Sequence, residues 1–246
     1  LKITGQIYFV IVFIFFSTLN AKNIDKYDNS ENIADYFSGI LMLNQSKFTD
    51  SYKFLKKLDG LEQSHPTFAS KYLYSLVNSG NFNQAFNFSK KIEMDKNDSF
   101  ESDLIMGVYY LNISNYKLSK KYFLKAKNRN SRLLLDNYIA NTLFIWSDLR
   151  DNQLENALLK LNQLDSRFEN IKKIQNVFLN CFYNDNNTDL LFNNLVSDSK
   201  TDFSRYNYFY AKYLVGTERT IEAKKIIKES LKKFPRNLLL NQYKID

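Results

Sequence analysis

The sequence predicts an all-α protein, a stack of about six helical hairpins behind a short export segment. Three observations carry this. A pattern recurs at a fixed interval: Phe48, Phe82 and Tyr116 are spaced 82 − 48 = 34 and 116 − 82 = 34, and Ser51, Ala85 and Ser119 follow them by three. Six Gly and two Pro in 246 residues are too few for the turns of a β-sandwich or the ligand loops of an α/β enzyme. Hydrophobic residues make up 44% and aromatics 16%, enough apolar side chain for a real core.

The chain opens with Lys2 and the uncharged run IYFVIVFIFF, residues 7–16, followed by STLNAKN. A basic start, a short apolar run and a small-residue exit predict a secretory signal peptide over 1–21, cleaved after Ala21. The run is short for a membrane span of about 20 residues. An uncleaved inner-membrane anchor over 7–19 is the alternative. No Cys follows the run, which argues against a lipoprotein. A polar linker near 22–31 comes next.

With the recurrent small residue placed in the twentieth slot of a 34-residue unit, repeats begin near 32, 66 and 100. Their eighth slots hold Gly39, Leu73 and Gly107, and their twenty-fourth slots Leu55, Ser89 and Phe123. In the fourth copy, 138–171, Ala157 takes the small slot 157 − 119 = 38 residues on, which places about four inserted residues near 134–137; Asp148 then falls where an apolar residue belongs. In the fifth copy, 172–203, Leu191 takes the small slot and Thr188 is placed to cap the second helix. In the sixth, 204–237, Ala223, Ile226, Ile227 and Leu231 form one helical face that Pro235 ends. Residues 238–246 form a tail or short capping helix.

A period of 34 with this arrangement resembles the tetratricopeptide repeat (TPR) family, of the secreted bacterial type, over roughly 32–237 and most closely in 32–133 and 204–237. The resemblance implies a right-handed α-solenoid in which neighbouring hairpins stack because none buries its apolar stripe alone. Small residues in the eighth and twentieth slots let the two helices cross closely, and the aromatic between them is expected to fill the gap.

Net charge is +8, from 34 Lys and Arg against 26 Asp and Glu, but no basic run exceeds two residues. The surplus reads as a solvated basic surface of a Lys- and Asn-rich composition, and no nucleic-acid partner is expected. The chain lacks a GxGxxG, a phosphate loop, an HExxH and paired Cys. Its one histidine, His65, sits in a loop before Pro66, and its one cysteine, Cys181, lies in the apolar stretch VFLNCFY. Carboxylates are expected on outer faces. No catalytic residue, metal ligand or cofactor is predicted, and an enzyme or wall-polymer binder is the minority reading.

The resemblance also implies that the first helix of each hairpin lines a concave surface through slots two, five, nine and twelve. Those slots give Ile33, Tyr36, Ile40 and Leu43, then Thr67, Ser70, Tyr74 and Val77, then Glu101, Leu104, Val108 and Leu111. This apolar and aromatic surface suits a peptide with apolar anchors, unless another helix packs there. The same slots in the fifth and sixth copies give Lys173, Asn176, Asn180 and Tyr183, then Arg205, Tyr208, Lys212 and Val215. Lys173, Asn176, Asn180, Arg205, Tyr208 and Lys212 are the candidate basic pocket for an acidic peptide or carboxylate. The Lys and Asn clamp with which some family members hold a chaperone's terminal carboxylate is absent from the first three copies. Asn44, Asn78 and Asn112 recur at the ends of first helices and are read as helix terminators. The expected function is a non-catalytic, protein-binding scaffold in the bacterial periplasm or cell envelope, with a self-assembling architectural subunit as the alternative.

Overall fold

The computed structural model describes residues 30–129 and 133–243. The signal segment 1–21 and linker residues 22–29 lie outside the described residues. Thirteen α-helices, and no strand, occur among the described residues. They are α1 (Ser30–Asn44), α2 (Phe48–Leu55), α3 (Pro66–Asn78), α4 (Phe82–Met94), α5 (Phe100–Asn112), α6 (Tyr116–Lys127) and α7 (Leu134–Ser147), then α8 (Leu154–Asn162), α9 (Glu169–Phe182), α10 (Thr188–Val196), α11 (Tyr206–Gly216), α12 (Thr220–Lys233) and α13 (Leu238–Gln242). Paired in order, α1 to α12 make the six expected hairpins. Two compact units divide the chain, one ending at Ser102 and the other beginning at Asp103.

Each unit shows why its helices cross where they do. In the first, Ser51 and Ala85 are fully buried in the twentieth slot. A Cβ added to Gly39 would lie 2.5 Å from Leu55 Cδ2, so the missing side chain in slot eight is the space that Leu55 in slot twenty-four occupies. The next hairpin reverses the sizes, with Leu73 in slot eight and Ser89 in slot twenty-four, both buried. Around them Phe68, Leu76 and Ile92 complete the interior, and Tyr72 meets Phe88 edge to face at 4.9 Å. In the second unit Phe123 fills the space beside Gly107, and Ser119 is buried. Farther along, Ile145, Leu149, Ala157, Leu161 and Leu179 form one core cluster, and Val177, Phe192, Leu195, Tyr210, Leu214, Ala223 and Leu240 belong to another.

The recurrent aromatic does not fill the crossing. Phe48, Phe82 and Tyr116 are each the first residue of a second helix, at the hairpin turn and outside the crossing point. Phe82 is largely exposed, Phe48 meets the Tyr74 ring edge-on at 5.8 Å, and Tyr116 lies under the Arg150 guanidinium at 4.0 Å. The gap is filled from slot twenty-four by Leu55 and Phe123, and from slot eight by Leu73.

Five of the six hairpins turn in one way. Ser46, Gly80, Ser114, Asn184 and Glu218 have positive φ. In each case that residue's N–H donates to the carbonyl three back and the next N–H to the carbonyl five back, as in Gly80 to Val77 and Asn81 to Leu76. This is the Schellman ending, which needs one left-handed residue. Asn44, Asn78 and Asn112 are therefore not the terminating residues. They are the last helical positions, two before the left-handed one, and Asn78 Nδ2 donates to the Tyr74 carbonyl at 2.8 Å. Nor does Thr188 cap α10: it is the helix's first residue, and its hydroxyl donates to the Asp185 carbonyl at 2.7 Å.

The fourth hairpin is the exception. α7 begins at Leu134, thirty-four residues after α5, so repeat four starts at 134 rather than 138. The four extra residues lie in its turn, where a 3₁₀ segment at Leu149–Asp151 replaces the Schellman ending. Asp148 is the C-cap of α7 and not a misfit within it.

Candidate functional site

First helices can present a surface because successive turns set slots two, five, nine and twelve along one flank. In the first unit Ile33 and Tyr74, in slots two and nine, are 50% and 55% exposed, while Tyr36, Ile40 and Val77 are half-buried. Leu43, in slot twelve, is buried in the core and presents nothing to a partner. Thr67 is exposed and Ser70 half-buried on the same flank. In the second unit Val108 is 50% exposed, and Leu104 and Leu111 are half-buried. Slot two and, in Tyr74 and Val108, slot nine are thus the most accessible, and in slot twelve Leu43 turns inward.

Tyr74 is positioned by its edge contact with Phe48, and Tyr36 by a tilted contact with the His65 ring at 5.1 Å. His65 also lies 3.0 Å, through Nδ1, from the Thr67 hydroxyl. These contacts make His65 a packing group for the Tyr36 ring.

The polar residues of the later copies are largely committed to one another. Lys173 is exposed, but its ammonium lies 3.0 Å from Asp198. Asn180 is buried, and its Nδ2 donates to the carbonyl and side-chain oxygens of Asn176 at 2.8 and 2.9 Å. Lys212 lies over the Tyr208 ring at 5.7 Å, and Tyr208 packs on Tyr243 at 4.8 Å. Arg205 is exposed beside an open hollow lined by Asp202, Arg236 and Leu238. Tyr183 is drawn away from any such pocket, since its hydroxyl donates to the Leu149 and Asn152 carbonyls at 2.8 and 3.0 Å.

Several carboxylates expected outside are buried, each held by a lysine in a second helix or, for Lys57, in the 3₁₀ segment Lys56–Leu58 after α2. Asp35 and Lys57 are 3.0 Å apart, and Asp103 and Lys125 are 3.4 Å apart; both pairs occupy slots four and twenty-six. Glu62 takes Lys91 at 2.7 Å. Asp148 takes Lys160 at 2.7 Å and also Lys120, joining α6, α7 and α8. Burial pushes the Asp148 carboxyl up, yet the two lysines outweigh it and hold it below its ordinary value. Burial pushes the Cys181 thiol up, which makes it a poor nucleophile.

Apolar exposure beyond the expected slots includes a stripe on α1, where Phe37 and Leu41 continue from Ile33 at intervals of four. The signal was in the sequence, as an apolar face wider than one helix flank can bury. Among the described residues no helix is long and apolar enough to cross a membrane. No group of three or more His, Cys, Asp or Glu among them is placed to hold a metal ion.

No protein-family model matches the sequence, and no curated protein matches it. Among solved structures, the APC/C hetero-tetramer Cut9–Hcn1 matches at TM-score 0.56 and 12% identity over 89% of this chain. The chain spans 42% of the length of the chain it matches there. YrrB, a TPR protein with an unusual peptide-binding site, has TM-score 0.43 and 13% identity over 87% of this chain and 92% of its own. MamA of Desulfovibrio magneticus RS-1 has TM-score 0.45 and 14% identity over 85% of this chain and 98% of its own. The Cut9–Hcn1 likeness shows the fold. With the 34-residue period and the paired crossing slots, that fold is a tetratricopeptide one.

Proposed function

We propose that this protein is a non-catalytic scaffold that holds a protein or peptide against the first-helix flanks of its hairpins, in the bacterial cell envelope. One observation carries the binding role. Large apolar side chains in slots two and nine, above all Ile33, Tyr74 and Val108, are left half exposed on rigid helices. Such positions suit the apolar anchors of an extended or helical segment. The envelope location rests on the amino-terminal sequence alone, Lys2 followed by the apolar run 7–16. The test is affinity capture of tagged residues 22–246 after crosslinking in cells, against a Tyr74→Arg control. A protein lost from the control supports the reading, and identical captures refute it.

A second reading has its own observation. Ile33, Phe37 and Leu41 form an exposed apolar stripe on α1, 50%, 65% and 52% accessible, which suits self-association. Mass measurement in solution at rising concentration separates it from the first: a stable oligomer favours the architectural subunit.

A further inference from the structure

The second unit contains a cavity of about 290 Å³, walled by the end of α6, one face of α7, the end of α8 and the 3₁₀ turn at Ser166–Phe168. Its walls include three aromatic rings. Tyr138 and Phe168 lie 4.2 Å apart. Phe144 carries two ammonium groups over its ring, Lys127 at 4.8 Å and Lys160 at 5.5 Å.

The two cations differ in their partners. Lys160 is balanced by Asp148 at 2.7 Å. Lys127 has no carboxylate partner among the described residues. Asp165 lines the same cavity, but Arg167 binds it through two nitrogens at 2.9 and 2.7 Å and holds it ionised, with its carboxyl lowered to about 2. That carboxylate is therefore already paired with a guanidinium and makes no ion pair with Lys127.

From this combination we infer that the cavity is an anchor pocket for a partner polypeptide, taking one aromatic side chain with a neighbouring carboxylate. The size fits: an apolar cavity of about 150 Å³ is enough for benzene, so this one holds a ring with several atoms to spare. Ring faces receive the aromatic group. The carboxylate meets the Lys127 ammonium by charge-assisted hydrogen bonding. The inference deepens the proposed scaffold function and rests on it, but it concerns a pocket whose loss would leave the Tyr74 flank intact.

The test uses the purified full chain and three probes: acetyl-Phe-Glu-amide, acetyl-Phe-Gln-amide and acetyl-Ala-Glu-amide. Binding is followed by NMR at the Ile145 methyl groups, which border the cavity. Acetyl-Phe-Glu-amide is expected to saturate, with the Gln and Ala probes each weaker by about fivefold or more. Lys127→Gln should erase the preference for Glu over Gln while leaving acetyl-Phe-Gln-amide binding unchanged. Lys127→Arg should keep the preference. Failure of acetyl-Phe-Glu-amide to saturate, equal binding of the Glu and Gln probes, or a preference that survives Lys127→Gln overturns the inference. If the pocket fails while Tyr74→Arg still abolishes capture, the scaffold reading stands without it.

Discussion

Gly107 and Phe123 are a matched pair: the Phe123 ring occupies the volume that any side chain on residue 107 would need. Gly39 and Leu55 repeat the arrangement in the first unit, and Leu73 with Ser89 inverts it. Close crossing is thus conserved in summed volume between two slots, and not in either slot alone. Gly107→Ala is expected to destabilise the protein by about 1–3 kcal/mol, the usual cost of overpacking. Phe123→Leu in the same chain should recover part of that loss, because a shorter side chain vacates the site. Thermal or denaturant unfolding of the single and double variants measures the coupling, and strictly additive losses would contradict the pairing.

The Schellman turns predict gains as well as losses. Ser114 and Glu218 hold left-handed backbone at φ of 60° and 63°, where an L side chain is strained. Ser114→Gly and Glu218→Gly should each stabilise by up to about 1 kcal/mol, since glycine accepts this conformation without a Cβ penalty. Gly80→Ala, at φ 78°, should cost about 1 kcal/mol although nothing lies within 4 Å of the new Cβ. Melting temperatures of the three variants decide this.

Asp148 links the protein's stability to pH. Its folded carboxyl lies below its ordinary value of 3.8 because Lys120 and Lys160 outweigh its burial. The unfolded chain therefore binds the extra proton first. The stabilisation is fully present above the unfolded value and is lost as pH falls through the folded one. Asp148→Asn should cost about 1–3 kcal/mol at pH 7, leaving two lysines without their carboxylate. The gap between wild type and variant should narrow below pH 3.8. Denaturant unfolding from pH 7 to pH 2 checks it, and a constant gap would contradict this role.

How far the sequence could be read depended on whether a feature recurred in one column. The small residues Ser51, Ala85 and Ser119 did, and they sit at the crossing. The left-handed turn position recurs as Ser46, Gly80, Ser114, Asn184 and Glu218, of which only the glycine and the asparagine carry a visible sign. The buried ion pairs were hidden for a related reason. Slots four and twenty-six hold Asp35 and Lys57, then Asp103 and Lys125, but the intervening copy has Ala69 and sends Lys91 to Glu62 instead. The 38-residue spacing from Ser119 to Ala157 shows that repeat four has an insertion but not on which side of its first helix, and setting it before that helix makes Asp148 look like a polar intruder. It is the C-cap of α7, and two lysines make its burial tolerable. At the candidate surface, slot pattern could not say that Leu43 and Asn180 turn inward, since both are set by the packing of neighbouring helices.

The central claim is that the first-helix flank is where a partner docks. It is tested most directly by placing the photocrosslinking residue p-benzoylphenylalanine at Tyr74 in cells, with a second variant carrying it at Lys90, an exposed position on the second helix of the same hairpin. The account predicts a discrete higher-mass adduct from position 74 that is absent from position 90. Equal adducts from both positions, or none from position 74, would contradict it.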